Sequence, residues 1–296
     1  MGSRMTAPAV RSRKVAAGSD PLVMVTAYDA PGARMVDEAG ADLILVGDSL
    51  AMVVLGYDDT LQVTVEDMAH HTAAVARTKP SALVVADLPW LSYHVSIEDT
   101  VRNAAVLVRA GASAVKLEGG RKRVSAVRAL VDAEIPVMGH IGLTPQSIHA
   151  MGGFKVQGKD AGAALALVEE AKALVAAGVF AIVLEGVPDA VAKLVTDAVP
   201  VPTIGIGAGR HCDGQVLVFH DVLGLEDRIA PKFVRRYAAL KADGVAALAA
   251  FAADVRSGAF PDDTESYHLP AASLEALGLS DRDDHEVMAL YGSMSA

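Results

Sequence analysis

"LILVGDS", Leu43 to Ser49, is a run of four apolar residues that ends in Gly47, Asp48 and Ser49. A short uninterrupted apolar run reads as a strand buried on both faces. The pattern recurs along the chain, each time with a helical segment after it. "LVMVTAYD" (Leu22 to Asp29) precedes it, with a helix running to Gly40. After it come "ALVVADLPW" (Ala82 to Trp90), "SAVKLEGG" (Ser113 to Gly120), "IPVMGHIG" (Ile135 to Gly142) and "FAIVLEG" (Phe180 to Gly186). "VPTIGIGAG" (Val201 to Gly209) and "QVLVFHDVLG" (Gln215 to Gly224) complete the set. Between the strands, "TVEDMAHHTAAVART" opens with Thr64 and Asp67 at capping-box spacing. Gly40, Gly111 and Gly178 stand where a helix ends in a left-handed residue. A long helix is predicted from Pro231 to about Ser257. Eight strand-like runs with crossover segments predict a (β/α)8 barrel. An open doubly wound sheet gives the same alternation. It is disfavoured because no G-x-G-x-x-G follows the first strand, and "GIGAG" at Gly205 to Gly209 has the wrong spacing. The expected organisation is an N-terminal arm over 1–20, a catalytic barrel over 21–260 and a C-terminal extension over 261–296. That extension is polar and acid-rich, helical around Ala272 to Leu277 and flexible toward its end.

Composition supports this layout. The 296 residues are 52% hydrophobic but only 4% aromatic, so Ala, Val, Leu and Ile must fill the interior. A net charge of −10 argues against a nucleic-acid groove and an anionic membrane surface. The lone Cys212 allows no intrachain disulfide, which points to a reducing cytoplasm. No apolar run is long enough for a bilayer, and the N-terminus lacks the apolar core of a signal peptide.

In such a barrel the active site lies at the C-terminal strand ends. Those ends carry Tyr28, Asp48 with Ser49, Asp87, Lys116 with Glu118, His140, Glu185, and His220 with Asp221. Each has an ordinary reading. Asp48-Ser49 alone fits a turn cap, and Asp87 before Leu88-Pro89 fits a turn start. Lys116 with Glu118 fits an ion pair, His140 a core histidine, Glu185 a solvated strand end. His70-His71 reads as a surface face, and Cys212 as structural. Conjunction shifts the balance, because one shared site explains successive strand ends better than independent accidents do. Lys116 and Glu118, two apart on a strand, point the same way. Gathered carboxylates raise one another's pKa and need a counter-charge beyond Lys116. A divalent cation is the simplest one, and aspartates favour a hard ion such as Mg2+. No H-E-x-x-H and no cysteine cluster favours zinc.

These segments resemble the ketopantoate hydroxymethyltransferase family. The matching stretches run in order from about Met24 to Leu225. They include "MVTAYDAPGARMVDEAG", "LILVGDSLAMVVLGYDDTLQVT", "VVADLPWLSY", "AVKLEGG" and "VMGHIGLTPQSIHAMGGFKVQGK", then "AIVLEGVP", "IGIGAG" and "LVFHDVLGL". The resemblance implies that Asp48 and Asp87 bind Mg2+, with Glu118 in the first or second shell of the ion. It implies that Ser49, Lys116 and His140, together with the metal-binding Asp48 and Asp87, hold the keto acid, and that Glu185 is the acid/base. The implied reaction transfers a hydroxymethyl group from 5,10-methylenetetrahydrofolate to 2-oxoisovalerate. It passes through a Mg-stabilised enolate and gives ketopantoate for pantothenate synthesis. The implied assembly is a homo-oligomer, a decamer built from pentamers. Two departures stand out: a longer tail, and Ala51 where the family commonly has Gly after "GDSL". An extra methyl there is expected to bear on the loop behind Asp48. The nearest rival is another Mg2+ enolate enzyme on a similar barrel. It would carry a reactive Cys after the fourth strand, where this chain has "GGRKRVS". A second rival is a barrel that uses "GIGAG" as a phosphate cup, and a third is a barrel that only binds or scaffolds.

Overall fold

The computed structural model describes residues 4–226 and 231–279. Eight strands close into a parallel barrel in chain order. They are β1 (Leu22–Thr26), β2 (Leu43–Val46), β3 (Leu83–Asp87), β4 (Ala114–Glu118), β5 (Val137–Gly142), β6 (Ala181–Glu185), β7 (Thr203–Ile206) and β8 (Gly214–Leu217). The barrel closes where Leu22 to Val25 of β1 pair with Gly214 to Leu217 of β8. This is the (β/α)8 fold that the alternation predicts.

Strand periodicity sorts the core into two layers. Leu22, Met24, Leu43, Leu45, Leu83, Val85, Ala114, Met138, Ala181, Val183, Ile204 and Val216 form one buried cluster. Their alternates Ile44, Val46, Val84, Ala86, Val115, Leu117, Ile141, Ile182 and Leu184 belong to a second. That second cluster includes helix residues such as Ala33, Leu107, Leu130, Leu174 and Val195. The first cluster fills the barrel; the second cements the helical shell. Continuing the interior column by one or two steps of two residues reaches Asp87, Lys116, Glu118, His140 and Glu185. The chain therefore needs no special device to aim these polar groups inward. They are the top layer of the column that holds the barrel core.

The helices carry the expected termini. Thr64 and Asp67 form a reciprocal capping box on Val65–Ala76, a device worth roughly 1 kcal/mol. Gly178 closes Ala161–Ala177 with φ 106°. The long helix begins at Leu240, later than Pro231, and runs to Ser257. Upstream of it, the Tyr237 N–H donates to Val222 O and the Arg236 guanidinium to Glu226 O. Those bonds hold residues 231–239 in an irregular path beside the chain after β8. Two compact units divide at Leu240 and Lys241, whereas the sequence reading draws the boundary at 260. The difference is the length of this helix. In the second unit a short helix spans Ala271–Ala276, where the sequence predicts one. The expected flexible end falls outside the described residues. No helix of the described residues is long and apolar enough to cross a membrane.

The N-terminal arm is packed rather than loose. Its helix Ala7–Arg11 buries Ala7 and Val10 in the cluster that fills the barrel. Downstream, Lys14 Nζ lies 2.8 Å from Asp213 Oδ2, and the Val15 N–H donates to Asp213 Oδ1 at 2.9 Å. Asp213 is buried and also accepts from the Thr203 N–H at 2.9 Å. It thus ties the arm to β7. Asp213→Ala is expected to lower unfolding free energy by about 3 kcal/mol, since it leaves the Lys14 ammonium on the neutral Thr196 carbonyl without its carboxylate. Urea denaturation checks this, and an unchanged midpoint would mean that the Lys14–Asp213 pair adds no stability.

Candidate active site

Neighbouring strands bring the site together in register. Asp87 on β3 pairs with Lys116 on β4, Glu118 on β4 with His140 on β5, and Gly142 on β5 with Glu185 on β6. Lys116 Nζ lies 2.9 Å from Asp87 Oδ1 and 3.3 Å from His140 Nδ1. His140 Nδ1 is 3.4 Å from Glu118 Oε1, and its Nε2 is 3.3 Å from Glu185 Oε2. Asp48, beyond β2, joins through its N–H, which donates to Asp87 Oδ2 at 3.1 Å. Asp48, Asp87, Lys116, Glu118 and His140 are all buried. Glu185 is the most open of the group, its side chain 16% exposed.

Ser49 enters from the side. Its Oγ lies 2.8 Å from Tyr28 Oη. A Cβ on Gly47 would fall 2.8 Å from Ser49 Oγ and 3.6 Å from Asp87 Oδ2. Glycine at 47 therefore leaves room for the Ser49 hydroxyl. Ala51, the departure from the family pattern, is fully buried in the short helix Leu50–Val53. Its N–H donates to Asp48 O at 3.0 Å, and it packs within the shell core. The extra methyl is absorbed by packing.

Two expectations about strand ends change. The eighth strand stops at Leu217, so His220 and Asp221 lie on the helix Phe219–Leu223 that follows it. The Phe219 N–H donates to Thr26 Oγ1 at 2.9 Å, and the Asp221 and Val222 N–H groups donate to Val218 O. That turns the chain into a helix. The His220 ring packs tilted against Tyr28, with centroids 5.5 Å apart. His71 is more than a surface face, because its Nδ1 lies 2.6 Å from Tyr28 O. Cys212 is buried and free. Burial pushes its thiol up, away from reactivity.

The charges of the site do not balance on their own. Burial, then Asp87 and Glu118, push the Asp48 carboxyl well above the usual range. Burial also raises Asp87, against the pull of Lys116. For Glu118, burial is outweighed by the His140 hydrogen bond and charge, Lys116 and the Gln146 N–H, so it is held low. Burial would lower Lys116, but Asp87, Glu118 and Asp48 hold it above an ordinary lysine. For His140, burial and Lys116 push down, yet Glu118 and Glu185 hold it up at about 9. Glu185 contributes through the contact of its Oε2 with His140 Nε2. His140 Nε2 makes no well-directed hydrogen bond at its 3.3 Å separation.

Asp87 Oδ1 is likewise close to Lys116 at 2.9 Å, yet forms no well-aligned hydrogen bond. A buried carboxylate oxygen left in this state, beside an Asp48 whose charge is uncompensated, suits a hard cation. Among the described residues no group of three or more His, Cys, Asp and Glu is arranged to hold a metal ion. The fit is that of two aspartates, the number of protein carboxylates Mg2+ commonly takes.

Two residues of the site have no strand-end signature. Gln146 and Tyr93 are both buried here. Tyr93 lies on the loop after β3 and Gln146 on the turn Pro145–Ser147 after β5. Both fall inside stretches that resemble the family, but neither spacing nor charge marks them.

The chain matches the ketopantoate hydroxymethyltransferase family profile over residues 4–263. It belongs to the ketopantoate hydroxymethyltransferase family. Curated relatives named 3-methyl-2-oxobutanoate hydroxymethyltransferase are similar over nearly their whole length. The Moorella thermoacetica protein is 56% identical over 266 residues, covering 90% of this chain and 98% of its own. The Syntrophobacter fumaroxidans protein is 53% identical over 285 residues, covering 96% and 99%. Among solved structures, phosphonopyruvate hydrolase in complex with oxalate and Mg2+ matches with TM-score 0.57 at 16% identity, covering 97% of this chain and 99% of that one. A 2,3-dimethylmalate lyase of the phosphoenolpyruvate mutase/isocitrate lyase superfamily matches with TM-score 0.56 at 20% identity, covering 97% and 99%. At such identities the likeness speaks for the barrel alone. Family membership makes this chain a hydroxymethyltransferase-type enzyme.

Proposed function

We propose that this site transfers a hydroxymethyl group from 5,10-methylenetetrahydrofolate to 2-oxoisovalerate (3-methyl-2-oxobutanoate). The product is ketopantoate, for pantothenate and coenzyme A synthesis. The observation that carries the reading is the pairing of a buried, over-charged carboxylate group with a more open carboxylate, Glu185, on the same barrel mouth. Asp48 and Asp87 would hold Mg2+. Both Glu118 oxygens already face protein groups, the Gln146 N–H at 3.0 Å and His140 Nδ1 at 3.4 Å, which favours an outer position for it. When bound, the cation supplies positive charge toward the ketone and carboxylate oxygens of the keto acid.

The chain's own residues do the rest. Lys116 presents an ammonium that Asp87 orients and the site keeps protonated. Its N–H donors can meet the substrate carboxylate. Ser49, fixed by Tyr28, adds a hydroxyl. His140 at about 9 is an imidazolium near neutrality, so it donates to substrate oxygens and cannot accept a proton. Glu185 is then the group that takes the proton from the branched carbon onto its carboxylate. One water releases the one-carbon unit from the folate: its oxygen bonds to the methylene carbon, both C–N bonds break, and its two protons go to N5 and N10, leaving formaldehyde and tetrahydrofolate. The resulting alkoxide takes the proton from Glu185 once formaldehyde is attacked by the carbon nucleophile formed at the branched carbon. Burial of the cluster keeps water from protonating that nucleophile first. The exposed side chains of Val245, Leu248, Phe251 and Val255 on the long helix support the homo-oligomer that the resemblance implies.

The test is a coupled assay with 2-oxoisovalerate, methylenetetrahydrofolate and Mg2+, read for ketopantoate by mass. Absence of product with folded protein and saturating metal would sink the reading. Asp48→Asn is expected to weaken Mg2+ dependence at least about tenfold, because a neutral amide replaces an anionic ligand. An unchanged Mg2+ activation constant would remove Asp48 from the ligands.

A further inference from the structure

We infer that Gln146, held by Tyr93, is a positioning residue that fixes which oxygen of Asp48 faces the cation. The inference rests on the two-aspartate cation site proposed above. Every hydrogen-bonding atom of the Gln146 side chain is committed. Its Nε2 donates to Asp48 Oδ2 at 2.8 Å and to Leu88 O at 3.0 Å. Its Oε1 accepts from Tyr93 Oη at 2.6 Å. Its backbone N–H donates to Glu118 Oε2 at 3.0 Å. One buried amide thus joins residues at the ends of β2, β3, β4 and β5.

Tyr93 decides which way that amide points. Its Oη accepts from the Glu118 N–H at 3.1 Å, and of the two acceptors for its own proton, Gln146 Oε1 at 2.6 Å is much closer than Glu118 O at 3.3 Å. The ring is held between the Arg123 guanidinium, 5.5 Å from its centroid, and the His94 ring at 4.2 Å. A flipped amide would set Oε1 against Asp48 Oδ2 and Leu88 O, three acceptors with no proton between them. It would also force the Tyr93 hydroxyl proton from its 2.6 Å partner to the more distant Glu118 O at 3.3 Å. Only one orientation satisfies the three side-chain partners Asp48, Leu88 and Tyr93. In that orientation Asp48 Oδ2 is tied to the protein, and Oδ1 is left for the cation. Gln146 touches Asp48 and Glu118 rather than the reacting atoms, so it acts through them. Outer partners of this kind are typically worth about 10–100-fold in metal affinity.

The test measures Mn2+ binding to the full-length chain by electron paramagnetic resonance of the free ion, alongside thermal melts. Wild type, Q146L and Y93F are compared. The expected result is Mn2+ affinity weaker by about tenfold or more in each variant. The Mg2+ activation constant should rise by the same factor, and excess Mg2+ should restore most of kcat. A purely structural role would lower the melting temperature while leaving Mn2+ affinity and the activation constant of the folded protein unchanged. That outcome overturns the inference and leaves the two-aspartate site standing. Failure of the wild type to bind Mn2+ overturns the cation site itself, and the inference with it. Y93F removes a single oxygen, so it carries the test even where Q146L does not fold.

Discussion

Lys116→Met is expected to destabilise the protein by about 3–5 kcal/mol, the usual cost of breaking a buried ion pair by removing one partner. The ammonium is the one permanent cation among Asp48, Asp87 and Glu118, and it sits 2.9 Å from Asp87 in a buried setting. Methionine fills a similar volume and leaves three carboxylates facing one another. The sign with pH follows from proton linkage. Lys116 is held above its ordinary value. Its contribution is therefore fully present below the unfolded lysine value of about 10.4, and is lost only as pH rises through the folded one. In the variant, Asp48 and Asp87, already raised, rise further. Their penalty is relieved as pH falls through those values, so variant and wild type converge on acidification. Urea unfolding in the presence of a chelator, at neutral and at mildly acidic pH, reads both effects. Equal stability at neutral pH would mean that the carboxylates find compensation elsewhere. Turnover is expected to fall by roughly 10²–10³-fold, as when a charge-stabilising donor is removed.

Much of this site is legible in the sequence because the barrel imposes a rule. Strand alternation fixes which residues continue the interior column, and "VVAD", "AVKLE", "VMGH" and "AIVLE" each end on that column. The eighth segment breaks the rule. "QVLVFHDVLG" reads as one long strand, yet β8 stops at Leu217 and His220 moves onto a helix. An apolar run does not say where extension gives way to coiling when a side chain from another strand, here Thr26, captures the next N–H. The long helix fails at its start for a similar reason, because Tyr237 bonds to Val222. Gln146 and Tyr93 were out of reach altogether. Their role depends on two loops, more than fifty residues apart, meeting under the strand ends. A neutral amide and a phenol carry no charge pattern that would announce it. Asp48 is the instructive middle case. Alone it reads as a turn cap, and only its neighbours across the barrel give it another role.

Glu185→Gln is expected to stop deuterium exchange at the branched carbon of 2-oxoisovalerate, slowing it by about 10²–10⁴-fold, while leaving keto acid binding nearly intact. Exchange is measured without folate, by loss of the methine proton signal, which isolates the proton step from carbon–carbon bond formation. Glutamine keeps the shape of the side chain, and the backbone bond from the Leu143 N–H to Glu185 O is untouched. With the side chain 16% exposed, the fold is expected to hold within about 1 kcal/mol. The assignment turns on His140, the other group close enough to act. At about 9 it holds its proton near neutrality and has no lone pair to offer. Part of that elevation comes from Glu185 itself, so the substitution lets the His140 value fall. Residual exchange in the variant should therefore climb with pH as His140 gives up its proton, and His140→Gln on top should remove the climb. Exchange at the native rate in Glu185→Gln would place the base elsewhere in the mouth. Flat residual exchange would keep Glu185 as the base and exclude the imidazole as its substitute.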